Sequence, residues 1–399
     1  MKFAHLSDVH IGGWREEKMK VMSVKAFQIA VERCMQENVD FIVIAGDLFD
    51  SALPQIDLIR DTTAQLKRLK DANIPVYLIP GSHDFSPSGK TMIEVIEKAG
   101  LCQNVFKFYD GKLHFTEDPK TKVKLTGILG LACGLDTNIY KQIDKDALEK
   151  EPGFKIFLFH TLLEELKPKH LAMVASEPLE NFPKGFKYYA GGHPHYAHAE
   201  NYEGYGLIAY PGALFPNNFQ ELEMFQGGGF YIANEKLEYQ HIKIHPKNVV
   251  CIFVDVDGKT SLEAQHAILE EARKHSVQDC LVTLRIAGTL STGSASEINL
   301  RMILAELKDA YHVLVNKSKL QSREQAEIHV EPGTVEEIEQ KVIQRHLEEN
   351  PSMLQDERMV QALMDVLNKE KDEGEKVYDF ELRVVKDFLK HAQLDGAWM

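Results

Sequence analysis

Five short stretches carry side chains that bind metals or move protons. They are "SDVH" with Asp8 and His10, "GDLFD" with Asp47, "GSHD" with Ser82, His83 and Asp84, "FLFHT" with His160, and "GGHPH" with His193 and His195. Ser82, His83 and Asp84 are the residue types of a hydrolytic relay. Neighbours in an extended loop point in different directions, however, and such a relay is defined by geometry among residues usually far apart in sequence. These three must therefore act with partners from elsewhere. Asp8 and His10, like His193 and His195, are alternate residues that can face one side of an extended segment and enter one cavity. Gly46, Gly81, Gly191 and Gly192 permit sharp turns and close backbone approach beside them.

Each segment alone has an ordinary reading. A single Asp-x-His is usually coincidence, a Gly-Asp after a strand is often a turn or a cap, and His160 reads as a hydrogen-bonded core residue. All five in this order, each just after an apolar run, point to one site, because ligands of open α/β sheets gather outside the carboxyl ends of strands. His5, inside the first apolar run, reads as core or as support for a ligand.

The elements that must position these residues follow from alternation. Residues 2–7, 41–46 and 74–80 read as strands, with helices at 18–37 and 55–72 between them, which implies βαβ units and a largely parallel, covered sheet. Residues 155–160, 187–192, 206–212 and 228–244 are strand-rich, the last a hairpin. Two sheets packed face to face between helices accommodate the count. After Pro246 the texture changes to strand (249–256), helix (261–274), strand (280–286), helix (295–309) and strand (311–316), a small α/β unit. From Glu331 onward the chain is charged and helical, with apolar stripes such as Val335, Ile338, Val342 and Ile343, or Val377, Phe380, Val384 and Phe388. The stripes fit either a helical hairpin on the protein's own body or a docking surface. The expected domains are 1–247, 248–330 and 331–399.

Composition sets the bounds. A chain of 399 residues, 44% hydrophobic and 27% charged, has room for two or three domains. No apolar run approaches the roughly 20 residues of a membrane helix, and "MKFAHLSDVH" lacks a secretory apolar core. Five scattered cysteines without a CxxC pair suggest neither a disulfide framework nor a zinc knuckle, so a reducing cytoplasm is expected. The net charge of −14 argues against nonspecific coating of nucleic acid, but not against a nuclease whose cations are bound metals.

The motif order DxH, GD, G-x-H-D, H, GHxH over about residues 1–245 resembles the metallophosphoesterase (calcineurin-like) superfamily. Within it, "GDLFD", "SPSGKTMIEVIEKAGL" and "YPGALFPNNFQE" followed by "GGGFYI" are similar to the SbcD-type exonucleases of double-strand-break repair, the nuclease half of the Mre–Rad complex. The resemblance implies an α/β fold: a two-sheet sandwich flanked by helices, a small α/β capping domain and a C-terminal helical segment that binds a coiled-coil ATPase through 331–399. It implies a homodimer, 3′-to-5′ exonuclease action on duplex ends, endonuclease action on single strands and hairpins, and a prokaryotic, nucleoid-associated cytoplasmic setting.

Carried over by motif, Asp8, His10, Asp47 and His195 hold one metal, and Asp47, Ser82, His160 and His193 the other. His83 contacts the scissile phosphate and serves the leaving oxygen, with Asp84 orienting its ring. The chemistry needs such residues: two divalent cations about 3.5–4 Å apart neutralise a phosphodiester, activate water and stabilise attacking and leaving oxygens. Imidazole-rich ligation disfavours an all-oxygen magnesium site, and the resemblance implies manganese, with iron or zinc as competitors. Ser82 departs from the superfamily's Asn, being shorter and a weaker donor. DNA-contact candidates are Arg15, Lys18 and Lys20 beside the first motif, and Lys184 and Lys187 before the last. Two other readings stay open: a phosphodiesterase for a small molecule, and a catalytically weakened adaptor that tethers an ATPase.

Overall fold

The computed structural model describes residues 1–85, 91–131, 137–168, 171, 174–323, 366, 380, 383–387 and 389. The chain falls into two compact units, Met1–Arg323 and Glu324–Met399.

The first unit contains two six-stranded sheets. One comprises β1 (Lys2–Leu6), β2 (Phe41–Ala45), β3 (Val76–Ile79), β4 (Gln103–Asn104), β13 (Gly228–Asn234) and β14 (Tyr239–Ile244), in the order β14-β13-β1-β2-β3-β4. The other comprises β7 (Thr116–Glu117), β8 (Lys124–Gly127), β9 (Lys155–His160), β10 (Tyr188–Gly192), β11 (His198–Tyr202) and β12 (Gly206–Tyr210), in the order β11-β12-β10-β9-β8-β7. A two-stranded ribbon, β5 (Phe108–Tyr109) and β6 (Lys112–Leu113), lies between them in sequence. The centres of both sheets are parallel, and the antiparallel additions are β13, β14, β11 and β7.

Side-chain alternation makes the sandwich. In β1, Phe3 faces the second sheet while Ala4 and Leu6 face the helices; Phe41 and Val43 do the same in β2 with Ile42 and Ile44 opposite. The inner layer joins Phe3, Phe41 and Tyr77 to Ile156, Leu158 and Tyr188 across the gap. Fully burying a residue such as Phe3 or Phe41 is worth about 1.5–3 kcal/mol. Outside the first sheet lie α1 (Glu17–Gln36), α2 (Ile56–Asp71) and α3 (Met92–Lys98). Helix α1 buries Met19, Met22, Ala26, Phe27, Ala30, Val31 and Cys34 at helical spacing. Outside the second sheet, α4 (Thr137–Gln142) and α5 (Lys145–Lys150) bring Tyr140, Ile143 and Leu148 onto Phe157, Phe159 and Tyr210. The short elements between 91 and 150 have no periodicity long enough to be read from sequence.

After α6 (Phe219–Phe225), a parallel three-stranded sheet follows: β15 (Val249–Asp255), β16 (Leu281–Leu290) and β17 (His312–Ser322). One face packs Ile252, Val254, Leu284 and Ile286 against α7 (Ser261–Arg273) and α8 (Leu300–Glu306). Helix α7 starts at a capping box between Thr260 and Glu263. Several boundaries differ from the sequence reading, among them the end of β17, which runs to Ser322 rather than 316. Helix α8 starts at Leu300 rather than 295, because the Asn299 side chain accepts the Met302 amide and caps it there. Strand β16 runs on to Leu290 through a register shift between Arg285 and Ala287. Its Gly288, at φ +122°, marks close passage of the Asp257 backbone rather than a turn.

In the second unit, Val366, Phe380, 383–387 and Leu389 are helical, and Val366 is buried. The remaining expected helical stripes of 335–388 lie outside the described residues.

Candidate metal centre

Every chemically capable segment leaves the carboxyl end of a strand. Asp8 and His10 follow β1, Asp47 follows β2, and Ser82, His83 and Asp84 follow β3; His160 ends β9, and His193 and His195 follow β10. The first three strands belong to one sheet and the last two to the other, so the side chains meet across one edge of the sandwich.

The backbone is bent to make them meet. Asp8 (φ 49°), His10 (φ 44°), Asp47 (φ 51°) and His193 (φ 94°) are non-glycine residues at positive φ. Each such residue costs about 1–3 kcal/mol and persists only where its surroundings over-determine it. Hydrogen bonds between the loops do so here. The Asp8 amide donates to Gly46 O (3.2 Å) and the His10 amide to Asp47 O (3.0 Å). The His193 amide donates to the Asp8 carboxylate (3.0 Å), and the His83 amide to Asp47 Oδ1 (2.8 Å).

Three groups of potential ligand atoms converge: Asp8, His10 and His195; Asp8, Asp47 and His160; and His10, Asp50 and His83. Asp8 and His10 link them. Asp47 Oδ2 lies 3.1 Å from His160 Nε2 and 3.7 Å from His10 Nε2; Asp8 Oδ1 lies 4.0 Å from His160 Nε2 and 3.7 Å from His195 Nε2. His193 stands outside these triads, its ring edge-on to His160 at a centroid distance of 5.4 Å. Ser82 Oγ reaches Asp47 Oδ2 only at 3.5 Å.

These residues fit divalent cations. His160 Nδ1 is committed to Ala45 O at 2.8 Å, which directs the Nε2 lone pair at Asp47, and Nε2 is buried without a hydrogen-bond partner. His10 and His195 face each other Nε2 to Nε2 at 3.1 Å, while their Nδ1 atoms meet Asp50 Oδ1 (3.0 Å) and Glu221 Oε1 (2.9 Å). Carboxylates behind imidazoles fix the tautomer and raise ligand basicity. Facing lone pairs need a proton or a cation between them. The His160 ring is also cradled: a Cβ on Gly46, Gly130 or Gly192 would fall 2.1, 2.5 or 2.8 Å from its atoms.

Titration properties follow from this crowding. Burial alone would lower the His160 pKa, yet the Asp47 and Asp8 carboxylates raise it to about 10. Burial is likewise overridden at His195, where Glu221 and Asp8 raise it to about 9. Burial and the charge of His160 lower His193 to about 4. Asp47 stays far below the usual carboxylate range despite burial, held there by His160, His10 and His83. Asp84 rises to about 7 through burial and the charge of Asp47.

His83 differs from the rest: its side chain is 46% exposed, and it lines an open cavity of about 470 Å³ with Asp47, Ser82, His193 and His195. The ring is oriented by Asp50, whose carbonyl meets Nδ1 at 2.9 Å, and not by Asp84 as expected. Asp84 points inward, accepting the amides of Gly81 (2.9 Å), Phe49 (3.1 Å) and Leu48 (3.3 Å), because those buried donors have no strand partner. It ties the β2 and β3 loops together.

Asp50 and Glu221 were not assigned roles from sequence. Asp50 is the second acid of "GDLFD"; Glu221 follows the Asn218 cap of α6 by three residues and reads there as an ordinary helix-start residue. His5 is fully buried between the sheets, with Nδ1 2.9 Å from the Tyr188 hydroxyl. Of the basic residues, Arg15 is exposed. Lys18 donates to Tyr311 O (2.9 Å), and Lys20 pairs with Glu17 (2.6 Å). Lys184, above the Tyr205 ring, and Lys187 precede β10, at the opposite end of that strand from His193.

The calcineurin-like phosphoesterase family profile matches residues 1–197. The chain is 27% identical over 273 residues to the DNA double-strand break repair protein Mre11 of Methanococcus maripaludis, covering 66% of this chain and 71% of that protein. It is 30% identical over 234 residues to the protein of the same name from Sulfurisphaera tokodaii, covering 56% of this chain and 57% of that one. The chain thus spans little more than half the length of the latter. A solved dimetal phosphatase from Danio rerio aligns with 62% of this chain and 97% of its own at a TM-score of 0.40 and 10% identity.

Proposed function

Because residues 1–197 form a calcineurin-like phosphoesterase domain, we propose that this chain is a metal-dependent nuclease that processes DNA ends in double-strand-break repair. The observation that carries the reading is the convergence of five strand-end segments from two sheets on triads that share Asp8 and His10. The names of the relatives supply the DNA context.

In this reading Asp8, His10, Asp47 and His195 hold one divalent ion, and Asp47, Ser82, His160 and His193 the other, with manganese as the family resemblance implies and iron or zinc as competitors. Divalent ions held there would neutralise the phosphodiester and ease deprotonation of the attacking water. Asp47, with two carboxylate oxygens, would serve both ions. Asp50 fixes His10 through its carboxylate and His83 through its carbonyl. That leaves His83 Nε2 free to place a proton on the departing sugar oxygen. Asp84 keeps the two loops in register. The expected mode is 3′-to-5′ exonuclease action on duplex ends with endonuclease action on single strands and hairpins. A homodimer, and a coiled-coil ATPase bound through 331–399, complete the proposed assembly; 1–247, 248–330 and 331–399 are its proposed domains.

The long Ser82 to Asp47 contact favours one second reading, an adaptor with a loosely held second ion. The test is turnover of labelled hairpin DNA and of bis-p-nitrophenyl phosphate, each with and without manganese. Manganese-dependent cleavage of the hairpin supports the nuclease. Turnover of the small ester alone points to a small-molecule phosphodiesterase, and silence on both to the adaptor. No helix among the described residues is long and apolar enough to cross a membrane.

A further inference from the structure

Helix α6 is gripped from two sides. Toward the site, Glu221 Oε1 holds His195 Nδ1 at 2.9 Å and Oε2 accepts the Asn217 amide at 2.8 Å. Two residues on, about 200° around the helix, Glu223 turns to the three-stranded sheet. There Arg285 of β16 clasps it with Nε (3.0 and 3.1 Å) and Nη2 (2.6 Å). The same guanidinium lies 5.0 Å from the Phe219 ring at the start of α6. The pair is largely shielded, with side chains 18% and 22% exposed, so its forked geometry is held rather than fluctuating in water. Leu222, between the two acids, is fully buried, and the next residues, Met224 and Phe225, line the site cavity.

We infer that Arg285 is a positioning residue for His195: through Glu223 it seats α6, and α6 through Glu221 aims the imidazole. The inference rests on the two-ion reading of the site. A seven-residue helix has too little packing of its own to hold a ligand within the tolerance a metal demands, so the seat comes from the neighbouring sheet. The coupling is reciprocal: whatever shifts β16 relative to α6 changes ion affinity at His195, and ion binding stiffens the contact with β16.

The test is calorimetric titration of manganese into the full chain, comparing wild type with Arg285→Ala, Arg285→Lys, Glu223→Gln and the exchanged pair Arg285→Glu with Glu223→Arg. The expected result is that Arg285→Ala and Glu223→Gln weaken one of two ions about 10-fold, as loss of a ligand's supporting partner does, and leave the other unchanged. The exchanged pair restores part of the loss. A general loss of packing would move the melting temperature without singling out one ion. Arg285→Lys and Glu223→Gln keep the test alive should Arg285→Ala not fold. Two ions bound as tightly by every variant as by wild type overturn this inference alone. A wild-type chain that takes up no divalent ion overturns the two-ion reading, and this inference with it.

Discussion

Nε2 of His160 lies 3.1 Å from Oδ2 of Asp47, while the other ring nitrogen is anchored on the carbonyl of Ala45 at 2.8 Å. The imidazole therefore has one free direction, and a carboxylate fills it. That arrangement suits a shared proton or a divalent ion, and the competition between the two governs the behaviour of the site.

The first consequence is a pH dependence of ion binding. Without metal, His160 is raised to about 10 and His195 to about 9, so both carry protons at neutral pH. Metal uptake must displace them. Manganese affinity should rise from pH 6 toward pH 9, and calorimetry in two buffers of different ionisation heat should report proton release. Because these folded pKa values exceed the ordinary imidazole value of about 6.5, the metal-free protein draws stability from them that is complete below that pH. It is lost as pH rises through 9 and 10, which melting curves in chelator will display. Uptake without proton release would contradict the arrangement.

Ser82 offers a gain-of-function test. Ser82→Asn places an amide oxygen one bond further toward Asp47. The second ion should bind about 10–100-fold more tightly, and the manganese concentration for half-maximal cleavage should fall accordingly. An unchanged titration would mean that Ser82 lies off the ion's coordination path.

His83 and Asp50 should separate chemistry from ion binding. His83→Ala removes an exposed ring, so ion affinity should hold while kcat falls about 10²–10⁴-fold, the range for a lost general acid. Asp50→Ala removes the carboxylate behind His10 while keeping the carbonyl that meets His83, and should lower ion affinity and, with it, turnover. Equal effects of the two variants on ion affinity would place His83 among the ligands instead.

Gly46 tests the cradle. It sits at φ +88°, and a methyl group there would fall 2.1 Å from His160 Nδ1. Gly46→Ala should destabilise the fold by about 1–3 kcal/mol through strain and overpacking, seen in urea unfolding. It should also push His160 off Ala45 and weaken ion binding. Retained stability with full ion affinity would show that the loop relaxes freely.

Much of this protein was legible in its residues. The strands at 2–6, 41–45, 155–160 and 188–192 stand within one or two residues of their expected ends, because apolar runs bounded by glycine and polar clusters are strong local signals. The side chains that would do the chemistry were named by their position just past those strands, since the carboxyl edge of a parallel sheet is where loops converge. What the sequence did not reveal is the partner of each. Asp84 stands next to His83 in the chain, yet it turns inward to buried amides, and Asp50 takes the His83 ring.

The sequence by itself determined which residue types stand at the strand ends, and hence that acids and imidazoles meet on one edge. Only the tertiary structure decided the left-handed backbone at Asp8, His10, Asp47 and His193, the grip of Glu221 on His195, and the clasp of Arg285 on Glu223. The physical reason is range. Strand and helix formation depends on neighbours a few positions away, whereas a side chain's aim depends on groups that approach through space from far along the chain, 185 positions in the case of the His193 amide at Asp8.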